Sequence, residues 1–235
     1  MRLDKYLADC GAGTRSEIKK LIRAGAVQVA GMAKIKPETQ IDPETAEVCL
    51  MGQPVVYRQF IYLLLNKPAG CISATWDPKH TTVLDLVPEE YLHFEPFPVG
   101  RLDVDTEGLC LLTNDGQLAH RLLSPNRHVP KTYEATIAGQ VTQADIDAFC
   151  EGVTLDDGYK TKPATLTILS AGEVSQIRLT ITEGKFHQVK RMFEAVGKKV
   201  TYLKRVAMNR LVLDPDLALG EIRELLPEEL ALLEG

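Results

Sequence analysis

Three acids crowd one short stretch of this chain. Asp103, Asp105 and Glu107 alternate through PVGRLDVDTEGLCLL, residues 98–112, just before an apolar run. Three chemistries fit such a loop. The alternation followed by Gly108 matches the opening of an EF-hand calcium loop. That loop also needs a glutamate where this chain has Asn114, and a preceding helix where FEPFPVG carries two prolines. A second reading is a structural turn whose carboxylates cap backbone N–H groups. A third is a catalytic loop that aims one carboxylate into a cleft as nucleophile, base or electrostatic stabiliser. No His, Cys, Asp or Glu cluster has metal-ligand spacing, so no metal is expected. GAGTRS, residues 11–16, lies between two helical patterns and not after a strand, so it is no dinucleotide loop, and no cofactor is expected.

The elements around these residues follow from periodicity. Leu3, Tyr6 and Leu7 share a helical face that Gly11 ends. Thr14 and Glu17 have capping-box spacing at the start of a second helix, with Ile18, Leu21 and Ile22 inward and Arg15, Lys19 and Arg23 as a cationic stripe. AVQVAG follows as a short strand. FIYLLLNKP and GLCLLTNDG read as apolar strands closed by turns, QLAHRLLS as a short helix, and KTYEATI as a strand with Tyr133, Ala135 and Ile137 on one face. IRLTIT alternates again before EGK breaks it. FHQVKRMFEAVG then reads as a helix with Phe186, Val189, Phe193 and Val196 inward and Gly197 as its stop. Short strands with few helices predict an α+β fold around a mostly antiparallel mixed sheet.

Two resemblances extend this reading. RLDKYLA followed by GxGTRSExKKLIRAGxVxV resembles the S4 RNA-binding module, a small helix-helix-strand domain, over residues 1–48. The resemblance implies RNA binding through Arg2, Lys5, Arg15, Lys19, Lys20 and Arg23. GRLDVDTEGLCLLTNDG closely resembles a motif of the RsuA family of pseudouridine synthases. The likeness continues through NKPAG (66–70), KTY (131–133), KPATL (162–166) and EGKFHQVKRMFEAVG (183–197). It implies a catalytic domain over 61–235, joined to the first domain by a linker at 49–60. It implies that Asp103 is the essential carboxylate, that Lys185 is the basic residue paired with it, and that Tyr133 stacks on the flipped base and takes the C5 proton. Leu179 would pack beneath that pocket. Arg101 would fill the space left by the base, and His187, Lys190 and Arg191 would help to bind substrate.

Composition bounds the partners. The 235 residues are 45% hydrophobic and 25% charged, ordinary for a soluble globular protein. No stretch approaches the ~18 apolar residues of a membrane span. MRLDKYLADCG is charged where a signal peptide needs apolar residues. Five scattered cysteines without a CxxC pair fit reduced thiols, and a cytoplasmic monomer is expected. The net charge of −5 argues against nucleic acid, but its distribution does not. Residues 1–36 hold eight Lys/Arg against three acids, and residues 185–210 hold eight against Glu194 alone. In the second set Lys190, Arg191, Lys198, Lys199, Lys204 and Arg205 are expected to track phosphates, with Arg121, His128 and Lys131 adding to them. The expected partner is structured ribosomal RNA, with DPKHTTVLDLV, KTYEATI, TKPATL and HQVKRMF resembling the small-subunit branch of the family and an assembly intermediate as a candidate substrate. The alternatives are a large-subunit synthase of the same family and a non-catalytic RNA-binding or ribosome-assembly protein.

Overall fold

The computed structural model describes residues 1–234, which form two compact units. The first comprises Met1–Ile61 with Pro88–Pro96. It holds α1 (Leu3–Asp9), α2 (Arg15–Arg23), α3 (Glu89–Leu92), and an antiparallel sheet of β1 (Val27–Val29), β2 (Val48–Leu50) and β3 (Gln53–Val55) in that order. The capping box at α2 forms as its spacing predicts. Thr14 N donates to Glu17 Oε2 at 2.8 Å, and Glu17 N donates to Thr14 Oγ1 at 3.3 Å. Leu3, Tyr6, Leu7, Ile18 and Ile22 meet Val27, Val29 and Val48 in one apolar core.

Residues 49–60, expected as a linker, carry the end of β2 and all of β3. Tyr6 recruits them: its hydroxyl donates to Val55 O at 2.7 Å and its ring stacks on Tyr57 at 5.3 Å. The Gly-Gln-Pro spelling of that stretch hid the strand.

The second unit comprises Tyr62–Val87 and Phe97–Gly235. Its strands are β4 (Tyr62–Lys67), β5 (Phe97–Pro98), β6 (Glu107–Thr113), β7 (Lys131–Ala138), β8 (Thr165–Ser170), β9 (Val174–Ile181), β10 (Lys199–Met208), β11 (Leu211–Val212) and β12 (Ile222–Glu224). They pair in the order β12-β4-β6-β10-β7-β9-β8, with β5 on β6 and β11 on β10. Every pairing among these strands is antiparallel except β10 with β6. β4 and β6 are covered on both faces, which is why they read as unbroken apolar runs. The helices are α4 (Gly116–Leu123), α5 (Gln143–Glu151), α6 (Gln188–Ala195) and α7 (Pro227–Glu234). Leu118 and Leu122 of α4 and Leu233 of α7 pack with Leu64, Leu109 and Leu111 of the sheet. Phe149 of α5 meets Phe193 of α6 edge-on at 4.9 Å.

Two details position the site. Gly108, with φ of +99°, begins β6 against β10, where a Cβ would fall 2.2 Å from Arg205 O, so glycine alone fits this close approach. And α6 starts at Gln188, later than its apolar period suggests. His187 before it is left-handed, with φ of +47°, and this turn throws Phe186 outward. Phe186 is 75% exposed and not a core residue as expected.

Candidate active site

The loop between β5 and β6 carries Asp103, and buried side chains hold it from behind. Lys67, at the end of β4, is fully buried, and its ammonium donates to Pro68 O at 3.0 Å, Asp103 O at 3.1 Å and Thr106 O at 2.9 Å. Ser73 grips the neighbouring residue from both sides: its Oγ donates to Leu102 O at 3.1 Å and accepts from Leu102 N at 3.0 Å. Gly70 N donates to Val104 O at 2.8 Å. A loop so fixed has few arrangements left; it leaves Asp105 65% exposed and holds the Asp103 carboxylate at 24%.

That carboxylate enters a cleft of about 650 Å³ whose walls include Arg101, Asp103, Tyr133, Lys185, His187 and Arg205. Tyr133 comes from the buried face of β7 and sits directly opposite Leu179 on β9 and Arg205 on β10. Leu179 is fully buried in that row. Arg101 is exposed on the cleft wall.

The cation beside Asp103 is not the expected one. Lys190 Nζ lies 3.3 Å from Asp103 Oδ2 and 2.6 Å from Asp105 Oδ1, while His187 Nε2 is 3.7 Å from Asp103 Oδ1. Lys185 instead sets its ammonium over the Tyr159 ring, 4.5 Å from the centroid. The late start of α6 explains the exchange. Lys190 falls in the first turn of α6, within reach of the loop, and Lys185 falls in the turn before it. Burial alone would lower the Lys190 pKa, but its bonds to Asp105 and Asp103 outweigh that and raise it. The same bond from Lys190 holds Asp105 below the usual carboxylate range.

A buried carboxylate braces the turn that carries Lys185 and His187. Glu183 accepts from the Tyr159 hydroxyl at 2.6 Å, from Lys162 N at 3.0 Å and from Gln188 Nε2 at 2.6 Å.

Residues 61–195 match the RNA pseudouridylate synthase family, and residues 1–45 match the S4 domain. The chain belongs to the RNA pseudouridine synthases. It is 56% identical over 234 residues to an uncharacterised RNA pseudouridine synthase, YtzG, of Bacillus subtilis, covering 99% of this chain and 98% of that one. It is 41% identical over 233 residues to ribosomal small subunit pseudouridine synthase A of Escherichia coli, covering 98% and 99%. A crystal structure of a pseudouridylate synthase superposes with a TM-score of 0.70 at 39% identity, over 99% of each chain.

Several basic residues of this synthase stand elsewhere than the sequence implied. Arg191 lies outside the cleft walls and is engaged by Asp156 and Asp157. Lys198 pairs with Asp145 at 2.7 Å. Arg205 and Lys131 are 2% and 8% exposed, so neither tracks phosphates along a surface. In the S4 unit Arg2 is bound to Asp4 and Lys5 to Asp9, both at 2.9 Å, whereas Arg15, Lys20 and Arg23 stand exposed. Lys67 and Ser73 escaped the sequence reading. A lysine ending an apolar strand before proline looks like a solvent-facing turn, and only the carbonyls converging on it reveal its task.

Proposed function

We propose that this chain isomerises a uridine of small-subunit ribosomal RNA to pseudouridine, with Asp103 as the reacting carboxylate. The observation that carries the reading is that Asp103, on a loop pinned by Lys67, is the carboxylate of that loop that lines a cleft of about 650 Å³ together with Tyr133, while the more exposed Asp105 does not. The full-length likeness to ribosomal small subunit pseudouridine synthase A supports the choice of RNA.

The target base leaves its stack at a cost of a few kcal/mol, and Arg101 occupies the gap. Asp103, beside Lys190 and His187, meets the sugar-base junction as the C1′–N1 bond breaks. Tyr133 stacks on the freed uracil, and its hydroxyl takes the C5 proton while passing its own to water once C5 has bonded to C1′. Lys185, at the cleft wall, adds positive charge along the substrate path. The S4 unit grips structured RNA near the target, with the cationic stripe of α2 on phosphate. The protein acts as a cytoplasmic monomer, on a small-subunit assembly intermediate.

Mapping pseudouridines in ribosomal RNA tests the substrate. Cells lacking the gene should lose one small-subunit site, and the Asp103→Asn variant should not restore it. Loss of a large-subunit site instead would reassign the RNA.

A further inference from the structure

Beside Tyr133 the cleft holds two buried cations that take no part in the steps just described. Lys131 lies two residues before Tyr133 on the same buried face of β7, and Arg205 lies directly across from Tyr133 on β10. Both belong to the cleft walls, at 8% and 2% exposure. Neither has a carboxylate partner among the described residues. The Lys131 ammonium makes one bond, to Val129 O at 3.0 Å, which leaves two protons unassigned. Arg205 Nε donates to Leu109 O at 2.8 Å, but its Nη2 is buried with no acceptor at all.

Such an arrangement opposes folding. A buried cation loses its hydration, and here the two also repel. Burial first, and Arg205 second, push the Lys131 pKa down to about 8. A site that keeps two unpaired cations beside its stacking tyrosine has use for negative charge there.

The reaction generates that charge. When the C1′–N1 bond breaks, its electron pair leaves with the uracil, which becomes an anion delocalised over N1 and both ring carbonyls. The ring turns, C5 forms the new bond to C1′ with the ring's electrons, the C5 proton departs and N1 takes one up. Between the two bonding events the uracil is bound only by the protein.

We propose that Lys131 and Arg205 form a cationic floor that stabilises the detached uracil anion, Lys131 by donating to a ring carbonyl and Arg205 by a second buried positive charge. The inference rests on the pseudouridine synthase reading above. It makes Lys131 a catalytic residue and explains an arrangement that packing alone would disfavour.

The test uses the full-length protein and a small-subunit ribosomal RNA transcript tritiated at uridine C5. Wild-type release tests the parent reading by itself, and the variants test the floor. Lys131→Met and Arg205→Met should each slow single-turnover release by about 10²–10³-fold, the usual loss for one donor at a developing anion. RNA affinity and its salt slope should stay unchanged, and the melting temperature of Lys131→Met should hold or rise. The pH profile supplies a second measurement. The titratable groups lining the cleft with Lys131 are Arg205 from β10, Tyr133 on β7, Glu183, Lys185 and His187 after β9, Tyr159 and Lys162 before β8, and Arg101 and Asp103 from their loop. Wild-type release should fall above pH about 8 as Lys131 loses its proton, and Lys131→Arg should keep its rate there. Release within threefold of wild type in both Met variants would overturn the proposal. So would a salt slope reduced by about 0.7 in Lys131→Met, which would place a phosphate on the lysine. Rate losses that merely follow a lowered melting temperature would leave the two cations a structural role and would overturn it as well.

Discussion

Asp103 stands partly exposed on a loop whose backbone is held by Lys67, Ser73 and Gly70, and the roles of its neighbours separate cleanly. Lys190 acts on the carboxylate and Lys67 acts on its backbone. Lys190→Met should leave the loop in place and lower the release rate about tenfold, equivalent to about 1.4 kcal/mol of lost electrostatic support, with RNA affinity little changed. Lys67→Met should instead lower stability by about 1–3 kcal/mol, because carbonyls left buried without a donor bear their full desolvation cost. Thermal melting beside a rate measurement distinguishes the two. Legibility at this scale depended on motif context. Asp103 and Tyr133 stand in segments whose order and spacing are specific. The pairing of Asp103 with Lys190, not Lys185, depends on where one helix begins, and a shift of two residues there is invisible to apolar periodicity. Lys67 and Arg205 were illegible because charged residues read as surface until a fold buries them.

Four strands of the second unit were readable, whereas β8 and the ten-residue β10 were not. β4, β6, β7 and β9 fall where apolar runs and alternation place them, since each buries at least one face of the central sheet. β3 and α3 were missed because they are short, and they join the first unit through packing between segments distant in sequence. The parallel pairing of β6 with β10 depends on Gly108. Gly108→Ala must displace the β10 backbone and should destabilise the protein by about 1–3 kcal/mol, with release reduced because β6 carries the end of the Asp103 loop. Denaturant unfolding measures the first effect. Part of the acid sensitivity belongs to α5. Burial alone would raise the Asp145 pKa, but Lys198 and the Thr142 N–H prevail and hold it below its ordinary value. A carboxyl whose folded pKa lies below its unfolded one stabilises fully above that unfolded value, near about 3.9, and the contribution disappears as pH falls through the folded pKa. Melting temperature should therefore drop on acidification below pH about 4, and less steeply in Asp145→Asn.

Across the whole molecule, a net charge of −5 coexists with local basic patches. Arg15, Lys19, Lys20 and Arg23 on α2 form no ion pairs among the described residues, unlike Arg2 just before α1 and Lys5 on it. Replacing all four by alanine should weaken binding and flatten its log–log salt dependence by about 0.7–0.9 for each phosphate no longer neutralised. At saturating RNA the release rate should be unaffected, because the reacting groups belong to the other unit. Filter binding across a salt series reads the slope directly. The charge clusters were visible in the sequence. Which cations remained available for RNA was not, since Asp4, Asp9, Asp145, Asp156 and Asp157 claim their basic partners only in the folded chain.

Tritium release from ribosomal RNA labelled at uridine C5, compared between wild type and Asp103→Asn at matched RNA occupancy, bears most directly on the central claim. Wild type should release tritium in proportion to a single site per transcript, and the variant should release none while binding RNA within a few-fold of wild type. Normal turnover by the variant would contradict the account.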